Sequence, residues 1–404
     1  MFADATNRRI LLLQGPMGPF FRRVGEELHS RGAYVSQVAF NAGDELFLAG
    51  CSIESYRGDL AAWPRYVEEL IVSRRIDSLA LFGDRRPYHA AAIKVAKALG
   101  IQVWVFEEGY LRPHHITLER NGSNARSEMP TDAQDLGGQA LPSIVGEASG
   151  TFVSVMFYSI VYVLALRLGT WRYPHYQHHR DVRAISSGLK WIRGAFRKLW
   201  YGLTERQIER QLRTELNGRF FLAPLQVHCD SQVADSQFAD VEGFIHHAVD
   251  SFARAADPDH TLVLKHHPLD RAYTDYTRVV EELAITSGLG DRLRYVHDLD
   301  LPTLLRNARG TVVMNSTVGL SSLFHGTPTK ALDRAIYNLD GLTHQGVLDD
   351  FWHISEEVDR ELFDCLRRWL LANNQFNGSF YRRLPGMTTP TGVRWDVAQN
   401  LSAE

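Results

Sequence analysis

Short apolar runs alternate with helical patterns in two separate parts of the chain, and this rhythm restricts the fold more than any other feature. Strand-like runs separated by roughly 10–15 residues of helical pattern predict βαβ units and a parallel sheet. In the first part, we predict strands at residues 10–13, 34–40, 78–82 and 103–106, with helices at 20–31, 63–74 and 89–99. In the second part, we predict strands at residues 220–222, 225–227, 261–264, 293–296 and 311–314, with helices at 241–255, 276–283, 301–307 and 320–325.

Two halves of this kind predict an α/β protein with two Rossmann-like domains that face a central cleft, together with a helical insertion. This is the GT-B plan of many transferases that use nucleotide sugars, although a fold alone does not establish a function. The predicted parts are an N-terminal Rossmann-like domain (1–130), a linker with a partly basic helical insertion (131–218), a C-terminal Rossmann-like domain (219–360), and C-terminal helices with a tail (361–404). Ligands of such sheets bind beyond the carboxyl ends of the strands.

The composition is that of a globular chain that can bury sizeable cores, with 45% hydrophobic and 23% charged residues. A formal net charge of -3 argues against general nucleic-acid binding. Cys51, Cys229 and Cys365 lie too far apart to suggest a disulfide framework or a zinc site, which fits a reducing compartment. Arg8 and Arg9 precede only a short apolar run, so no signal peptide is predicted and we expect a cytoplasmic protein.

An uncharged, mostly apolar segment at residues 152–166 is followed by a basic stretch. The segment is shorter than the roughly 20 residues that a membrane-spanning helix needs, so we predict a buried or interfacial helix. Apolar residues at 189, 192, 196, 199 and 203 then follow one helix face, which predicts a basic amphipathic helix suited to an anionic membrane surface. A helix packed between domains with a solvated basic side is the alternative. The membrane candidates are Arg193, Arg197, Lys198, Trp191 and Trp200.

Two strand ends of the second half carry side chains suited to an anionic ligand. The run Lys265-His266-His267-Pro268 offers a cation and two imidazoles that can neutralise or protonate a phosphate leaving group. The run Asn315-Ser316-Thr317-Val318-Gly319 opens a helix, where hydroxyl and backbone N–H groups can hold a phosphate. The alternatives are a histidine-rich surface loop and an ordinary helix N-cap.

Two carboxylates and a turn mark the strand ends of the first half. Glu107 and Glu108 point in opposite directions if the backbone stays extended, so one of them can be desolvated and act as a base or a nucleophile. Gln14-Gly15 follows the first strand, and Arg112 lies in the loop after the glutamates, where a sugar or carboxylate can bind. A solvated acidic loop is the alternative. Arg85 and Arg86 can hold an acidic group, but such arginine pairs are usually plain surface.

Several familiar motifs are missing from the sequence. Gln14-Gly15 lacks the lysine and spacing of a P-loop, and no GxGxxG or GxSxG elbow is present. No DxD-type dyad stands out as a metal site. ATP hydrolysis and NAD binding therefore have no support. We expect neither a metal nor another cofactor.

Nine ordered strings together resemble the KpsS/LipB capsule-biosynthesis family, and the resemblance runs through nearly the whole chain. The strings are QGPMGPFF (14–21), FNAGDELF (40–47), FGDRRPYH (82–89), VFEEGYLRP (105–113), YPHYQHHR (173–180), PLQVHCDSQ (224–232), LKHHPLDRAYTDY (264–276), DLDLPTLL (298–305) and NSTVGLSSLFHGTP (315–328). One departure is Gly122-Ser123-Asn124, where the family usually has Gly-Val-Asn.

The resemblance implies a retaining β-Kdo transferase that starts the capsule linker. Its donor would be CMP-Kdo and its acceptor a phosphatidylglycerol-type lipid, at the cytoplasmic surface of the inner membrane alongside other capsule assembly and export proteins. Motifs similar to those of bacterial sialyltransferases imply a catalytic acidic group at Glu107-Glu108-Gly109 and CMP-phosphate contacts at His267-Pro268 and Ser316-Thr317, with no metal. The expected catalytic residues are Glu107, Glu108 and His267, and the expected CMP-sugar contacts are Lys265, His266, Pro268, Asn315, Ser316, Thr317, Gly319, Gln14 and Gly15. Arg112 joins the acceptor and membrane candidates.

Two other functions fit the same sequence. A sialyltransferase that uses CMP-sialic acid would share these motifs, because none of them reads the donor sugar. A non-enzymatic capsule export component would also use the apolar segment and the basic helix. The strand-end carboxylates, histidines and hydroxyls favour catalysis.

Overall fold

The computed structural model describes residues 1–48, 52–137, 146–147, 151–178, 184–230, 232–354 and 357–395. Its residues divide into two compact units. Unit 1 comprises residues 1–128, 139–184 and 368–404, and unit 2 comprises residues 129–138 and 185–367. The chain thus passes from unit 1 to unit 2 twice and returns to unit 1 each time.

Twelve strands are present in the described part of the chain. They are β1 (Arg9–Leu12), β2 (Tyr34–Ala39), β3 (Ile53–Ser55), β4 (Ser78–Phe82), β5 (Gln102–Glu108), β6 (His115–Arg120), β7 (Phe220–Pro224), β8 (Thr261–Lys265), β9 (Leu293–Val296), β10 (Gly310–Val313), β11 (Thr329–Ala331) and β12 (Gln375–Asn377).

Thirteen α-helices accompany these strands within the described ranges. They are α1 (Phe20–Ser30), α2 (Ala42–Phe47), α3 (Trp63–Arg74), α4 (Pro87–Ala98), α5 (Thr151–Leu168), α6 (Ala184–Thr204), α7 (Arg206–Arg213), α8 (Val241–Ala255), α9 (Thr277–Thr286), α10 (Leu301–Asn307), α11 (Val318–His325), α12 (Leu348–Phe351) and α13 (Arg360–Asn373).

The sheet of unit 1 has the order β12-β6-β5-β4-β1-β2-β3. Strands β1 to β5 are parallel, while β6 runs antiparallel to β5 and β12 antiparallel to β6. The parallel part has the Rossmann order 3-2-1-4-5, and the direction of winding reverses between β1 and β4. Apolar residues fill both faces, with Phe20 and Phe106 in one core and Trp63 and Leu79 in the other.

The sheet of unit 2 repeats this plan with five parallel strands in the order β11-β10-β7-β8-β9. Counted from β7, this is again 3-2-1-4-5, with the reversal between β7 and β10. Phe221, Phe252 and Trp352 pack on one face, and Phe220 and Leu305 pack on the other. Burial on both faces explains why these strands are continuously apolar. The prediction of an α/β protein with two Rossmann-like domains is confirmed.

Some predicted elements need correction. Glu107 and Glu108 do not follow their strand but form its last two residues, because the added strand β6 extends the pairing of β5. Residues 225–227 are not a strand, since the chain turns after Pro224 and the Asp230 N–H donates to the carbonyl of Val227 at 2.8 Å. The short strands β3, β6, β11 and β12 were not predicted. Through β12 the C-terminal segment adds to unit 1.

The apolar segment forms α5, with Tyr162 and Leu166 buried and several other apolar side chains exposed. One face of α5 is therefore buried, and the opposite face is exposed. Among the described residues, no helix is both long and apolar enough to cross a membrane.

Candidate functional site

Polar residues gather at the carboxyl ends of the parallel strands of unit 1. Gln14 follows β1, Asn41 and Asp44 follow β2, Arg86 follows β4, and Glu107 lies near the end of β5. Parallel strands bring these positions to one sheet edge, and this edge includes the reversal point at which such folds bind ligands.

A buried carboxylate holds this edge together. Gln14 Nε2 donates to Asp44 Oδ1 and Oδ2 at 3.1 and 3.0 Å, and the Tyr162 hydroxyl of α5 donates to Asp44 Oδ1 at 2.8 Å. Asn41 Nδ2 in turn donates to the Tyr162 oxygen at 2.7 Å. Burial raises the pKa of Asp44 to about 6. Sequence reasoning missed Asn41 and Tyr162, which lie far from Gln14 in the chain.

Arg86 is part of the same edge, and its earlier interpretation as plain surface is wrong. Its Nη1 atom donates to Gln14 Oε1 at 2.9 Å and to the Gly15 carbonyl at 3.0 Å. Its guanidinium stacks 5.0 Å from the centre of the Phe82 ring. An ideal Cβ on Gly15 would lie 2.6 Å from the Phe21 ring, so glycine is needed there for packing. Both residues therefore have structural roles. Gln14 bonds to Asp44 and Arg86, and Gly15 leaves room for the Phe21 ring.

The two glutamates differ in their surroundings. Glu107 is partly buried, its Oε1 accepts from the Glu108 N–H at 3.0 Å, and burial together with Glu108 and Asp84 raises its pKa to about 7. Glu108 is the next residue of an extended strand, so its side chain leaves the opposite face. A carboxylate that titrates near neutrality suits general acid–base chemistry, which favours Glu107.

A third carboxylate nearby is structural. Glu119 of β6 accepts from the Tyr110 hydroxyl at 2.6 Å and from the Ser127 hydroxyl, and burial raises the pKa of Glu119 to about 7. The Tyr110 oxygen accepts from the Asn124 N–H at 2.6 Å. These bonds anchor the segment that follows β6 to Tyr110 and Glu119. The exposed side chain of Arg112 donates from Nε to the Gly109 carbonyl at 3.1 Å.

Unit 2 has a corresponding group of cations and imidazoles at the end of β8. Lys265 is buried, and burial with the nearby Arg271 lowers its pKa to about 8, which leaves it mostly charged at neutral pH. The His266 Nδ1 atom lies 2.7 Å from the Tyr295 hydroxyl. The Tyr295 oxygen already accepts from the Tyr276 N–H, so we assign the Tyr295 hydroxyl as the donor to Nδ1. Burial lowers the pKa of His266 to about 4. The ring is therefore neutral and carries its proton on Nε2. This Nε2 is buried and has no hydrogen-bond partner among the described residues.

His297, at the end of β9, was not predicted as a site residue. Glu205 Oε1 accepts from its backbone N–H at 2.7 Å and contacts its Nδ1 at 2.9 Å, while the Tyr201 ring stacks on it at 3.7 Å. Its Nε2 is buried and also lacks a partner within the described part of the chain. The ring centres of His266 and His297 lie 5.3 Å apart. Two adjacent buried imidazole edges that lack partners among the described residues form a candidate site for a polar group.

His267 has a local role in its own turn. Its Nδ1 accepts from the Leu269 N–H at 3.1 Å, so a neutral ring carries its proton on Nε2. The ring is partly buried and Pro268 is exposed. The predicted contact of His267 and Pro268 with a phosphate stays a prediction.

The helix start at the end of β10 is less prepared for an anion than its sequence indicates. Ser316 Oγ accepts from the Val318 N–H at 3.3 Å, and Thr317 makes no capping hydrogen bond. Asn315 accepts from Gln226 Nε2 at 3.2 Å and donates to the Gln232 carbonyl at 2.9 Å. The Gln226–Asn315 bond joins β7 to β10 at the reversal point of the sheet. An ideal Cβ on Gly319 would lie 2.2 Å from the Tyr337 ring, so its predicted ligand role competes with a packing role.

The predicted membrane helix is α6, and its described side chains divide into two groups. Phe196, Leu199, Trp200 and Leu203 are exposed, as are Arg193 and Lys198. Arg197 instead donates to Asp275 Oδ2 at 2.6 Å and to the Arg271 carbonyl at 2.8 Å. Arg197 therefore stabilises unit 2 and is not a free surface cation, which corrects the prediction. The side chain of Trp191, like the residue Cys51, lies outside the described part of the chain.

The described residues contain no group of three His, Cys, Asp or Glu side chains placed to hold a metal ion. Lys265, His266 and His297 instead offer a cation and an N–H donor at one strand edge. The fold and these residues define a two-domain α/β protein with polar side chains at the carboxyl ends of its parallel strands. Residues 77–381 match the model of the capsule polysaccharide biosynthesis protein family, and the chain belongs to this family.

Named relatives agree with this membership. The chain is 38% identical over 384 residues to the capsule polysaccharide export protein KpsS of Escherichia coli, covering 93% of this chain and 97% of that protein. It is 37% identical over 386 residues to the capsule polysaccharide modification protein LipB of Neisseria meningitidis serogroup A, covering 93% and 92%.

Solved structures are similar only at a distance. The S. aureus MnaA–UDP structure matches with a TM-score of 0.31 and 11% identity, covering 95% of this chain and 94% of that chain. The glycosyltransferase SnogD from Streptomyces nogalater matches with a TM-score of 0.28 and 14% identity, covering 90% and 94%. Neither value supports a conclusion about this chain.

Proposed function

We propose that this protein is a retaining glycosyltransferase that moves Kdo from CMP-Kdo to a phosphatidylglycerol-type lipid and so starts the linker of a capsular polysaccharide. Membership of the capsule family and the name of LipB, a modification protein, support an action on a capsule precursor. The observation that carries the proposal is the pair of buried imidazole Nε2 atoms, of His266 and His297, that have no hydrogen-bond partner among the described residues. The buried cation Lys265 precedes His266 in the chain.

These three residues suit a nucleotide monophosphate leaving group. When the bond between the anomeric carbon and the phosphate oxygen breaks, CMP gains negative charge. The Lys265 ammonium can balance this charge, and the Nε2–H of neutral His266 can donate to a phosphate oxygen. Because its pKa is about 4, His266 acts as a hydrogen-bond donor and not as an acid. His267 and the Ser316-Thr317 turn would complete the phosphate contacts.

The acceptor side of the reaction falls to Glu107. Because configuration is retained, the acceptor oxygen must bond to the anomeric carbon on the same face from which CMP leaves. The acceptor hydroxyl loses its proton in this step, and an ionised carboxylate can take that proton. The pKa of Glu107, about 7, keeps a large ionised fraction at neutral pH while leaving the group basic enough to act. Arg86, whose charge lowers the pKa of Glu107, would hold this carboxylate in its ionised form.

A peripheral position on the inner membrane completes the proposal, because the acceptor is a lipid. The exposed apolar and basic side chains of α6 support it. Such a surface suits an anionic bilayer.

The direct test is incubation of the full chain with CMP-Kdo and a fluorescent phosphatidylglycerol analogue, followed by mass measurement of the product. We expect the lipid to gain the mass of one or more Kdo units. Transfer from CMP-sialic acid but not from CMP-Kdo would replace the donor in this proposal.

An export component that binds without catalysis is the second candidate, and the name of KpsS favours it. Under that function, millimolar CMP would not raise the melting temperature and no donor would yield product. A transferase instead requires that CMP raise the melting temperature and that a donor yield product.

A further inference from the structure

The outer face of α5 presents a continuous apolar stripe on unit 1. The exposed side chains recur every three or four residues: Val153, Phe157, Ile160, Leu164, Leu168 and, just beyond the helix, Trp171. Their exposed fractions run from 46% at Ile160 to 79% at Leu168. Isolated exposed apolar residues are common, but an ordered stripe of six indicates a surface that another phase or molecule covers.

The inner face of α5 is fixed to unit 1. The Tyr162 hydroxyl donates to buried Asp44 at 2.8 Å, and the Tyr162 ring stacks with Phe47 of α2 at 6.3 Å. An ideal Cβ on Gly43 would lie 2.8 Å from the Tyr162 ring, so α2 and α5 are in close contact. The stripe is therefore carried by a well-anchored helix whose other side reaches the polar strand ends.

Arginines surround the N-terminal part of the stripe. Arg382 Nε donates to Ser154 Oγ at 2.9 Å, and Arg23 is hydrogen bonded to Tyr158. Burial and the nearby charge of Arg383 lower the pKa of Arg23. Arg23 Nη1 is buried without a hydrogen-bond partner among the described residues, while Arg382 and Arg383 are exposed. Positive charge and an unused donor thus lie beside an apolar surface.

We propose that α5 lies on an anionic phospholipid bilayer, with its stripe at the acyl boundary and the exposed Arg382 and Arg383 at the lipid phosphates. An apolar face bordered by arginines matches an anionic interface, because basic groups near the surface are attracted to anionic lipid headgroups. A second copy of this chain would bring the same arginines and hence like charge. Residues 151–166 carry no charge. Among the described residues, no helix is long and apolar enough to cross a membrane.

This inference deepens the proposed function by naming the surface that meets the lipid. Unit 1 carries both α5 and Glu107, and Tyr162 connects α5 to the strand ends through Asp44 and Gln14. A bilayer under α5 would bring the acceptor headgroup to the unit that holds the proposed base.

The test is co-sedimentation of the full chain with vesicles of phosphatidylcholine alone or mixed with phosphatidylglycerol. The stripe variant carries Val153→Glu and Ile160→Glu, and the matched control carries Val72→Glu and Ile285→Glu, whose parent side chains are 62% and 80% exposed on α3 and α9. We expect the stripe variant to lose at least about tenfold in binding to the mixed vesicles, and the control to bind like the wild type. Arg382→Ala with Arg383→Ala should weaken binding to mixed vesicles only.

If the folded stripe variant binds the mixed vesicles as well as the wild type does, the inference is overturned. A wild-type dimer that the stripe variant converts to monomers without a change in vesicle binding would also overturn it, since a second copy would then cover the stripe. If the glutamates prevent folding, Val153→Ser with Ile160→Ser serves instead. Vesicle binding without any sugar transfer would leave this inference intact and remove only the proposed function.

Discussion

Arg86 Nη1 lies 2.9 Å from Gln14 Oε1, which joins the end of β4 to the end of β1 where the first sheet reverses its winding. The same nitrogen donates to the Gly15 carbonyl, and the Gln14 amide continues to Asp44. One arginine therefore links the reversal point to the buried carboxylate beneath α5. Several consequences can be measured.

Replacing Arg86 should disturb this edge even when the charge is kept. Arg86→Lys removes the planar fork and at least one of its two bonds, and we expect a loss of about 1–3 kcal/mol in the free energy of unfolding, with a clear fall in kcat. Denaturant unfolding and transfer assays measure both. Arg85→Lys is the control, and a similar loss there would show that Arg86 has no special role.

Substitution should distinguish the role of Glu107 from that of Glu108. Glu107→Gln removes the proposed base with little change in shape, and kcat should fall by roughly 10²- to 10⁴-fold. Glu108→Gln, on the opposite face of β5, should retain activity within about tenfold. The reverse order of losses would transfer the role to Glu108.

Activity should depend on pH through Glu107. The ionised carboxylate is the active form in a base mechanism, so kcat/KM should rise with pH to a plateau, with a midpoint set by the pKa of Glu107, about 7. A profile measured between pH 5 and 9 with a fixed donor checks this. In Glu107→Gln the residual activity should lose this rise, and an unchanged profile would assign the titration to another group.

The free energy of unfolding should fall as pH rises, whereas kcat/KM should rise. Because the pKa of Glu107 is about 7 when folded and 4.5 ordinarily, the folded state binds more protons between these values and the free energy of unfolding falls as pH rises. Glu107→Gln should therefore stabilise the protein at pH 8 by roughly 1–2 kcal/mol, after allowance for partial exposure, and not at pH 4. Thermal unfolding at both pH values gives the difference. Equal effects at both would contradict the raised pKa.

Two substitutions at His266 can distinguish the contributions of its two ring nitrogens. Asparagine keeps an acceptor near Nδ1 for Tyr295 but loses the Nε2 donor, while glutamine places an amide donor near Nε2. We expect His266→Asn to weaken CMP binding by about tenfold and His266→Gln to bind closer to the wild type. Calorimetric titration with CMP provides the measurement. Equal affinities would mean that Nε2 does not face the nucleotide.

Arg197 should behave as a structural residue. Arg197→Ala removes bonds to Asp275 and to the Arg271 carbonyl, and we expect a loss of about 1–2 kcal/mol in stability with unchanged vesicle binding. Lys198→Ala, at an exposed position of the same helix, should change stability by less than about 0.5 kcal/mol. A drop in vesicle binding without a loss of stability in Arg197→Ala would restore its predicted membrane role.

The sequence determined the two α/β halves because βαβ patterning is local. The strands and helices at 63–74, 78–82, 241–255, 293–296 and 301–307 were predicted with the bounds that the structure has. Lys265, His266 and Glu107 were also selected from the sequence as candidates, since each lies at a strand end and carries a side chain that can donate or accept a proton. The parallel arrangement of the strands is enough to place such residues at one edge of their own sheet.

Tertiary structure decided which of these residues have partners. Nothing near Arg86 in the sequence predicts a bond to Gln14, nor does anything near Asp44 predict one to Tyr162, because the partners are joined only when distant elements pack. The same holds for His297, whose environment comes from Glu205 and Tyr201 of other elements. Burial, pairing and exposure depend on which faces meet, and a local pattern of apolar and polar residues does not contain that information.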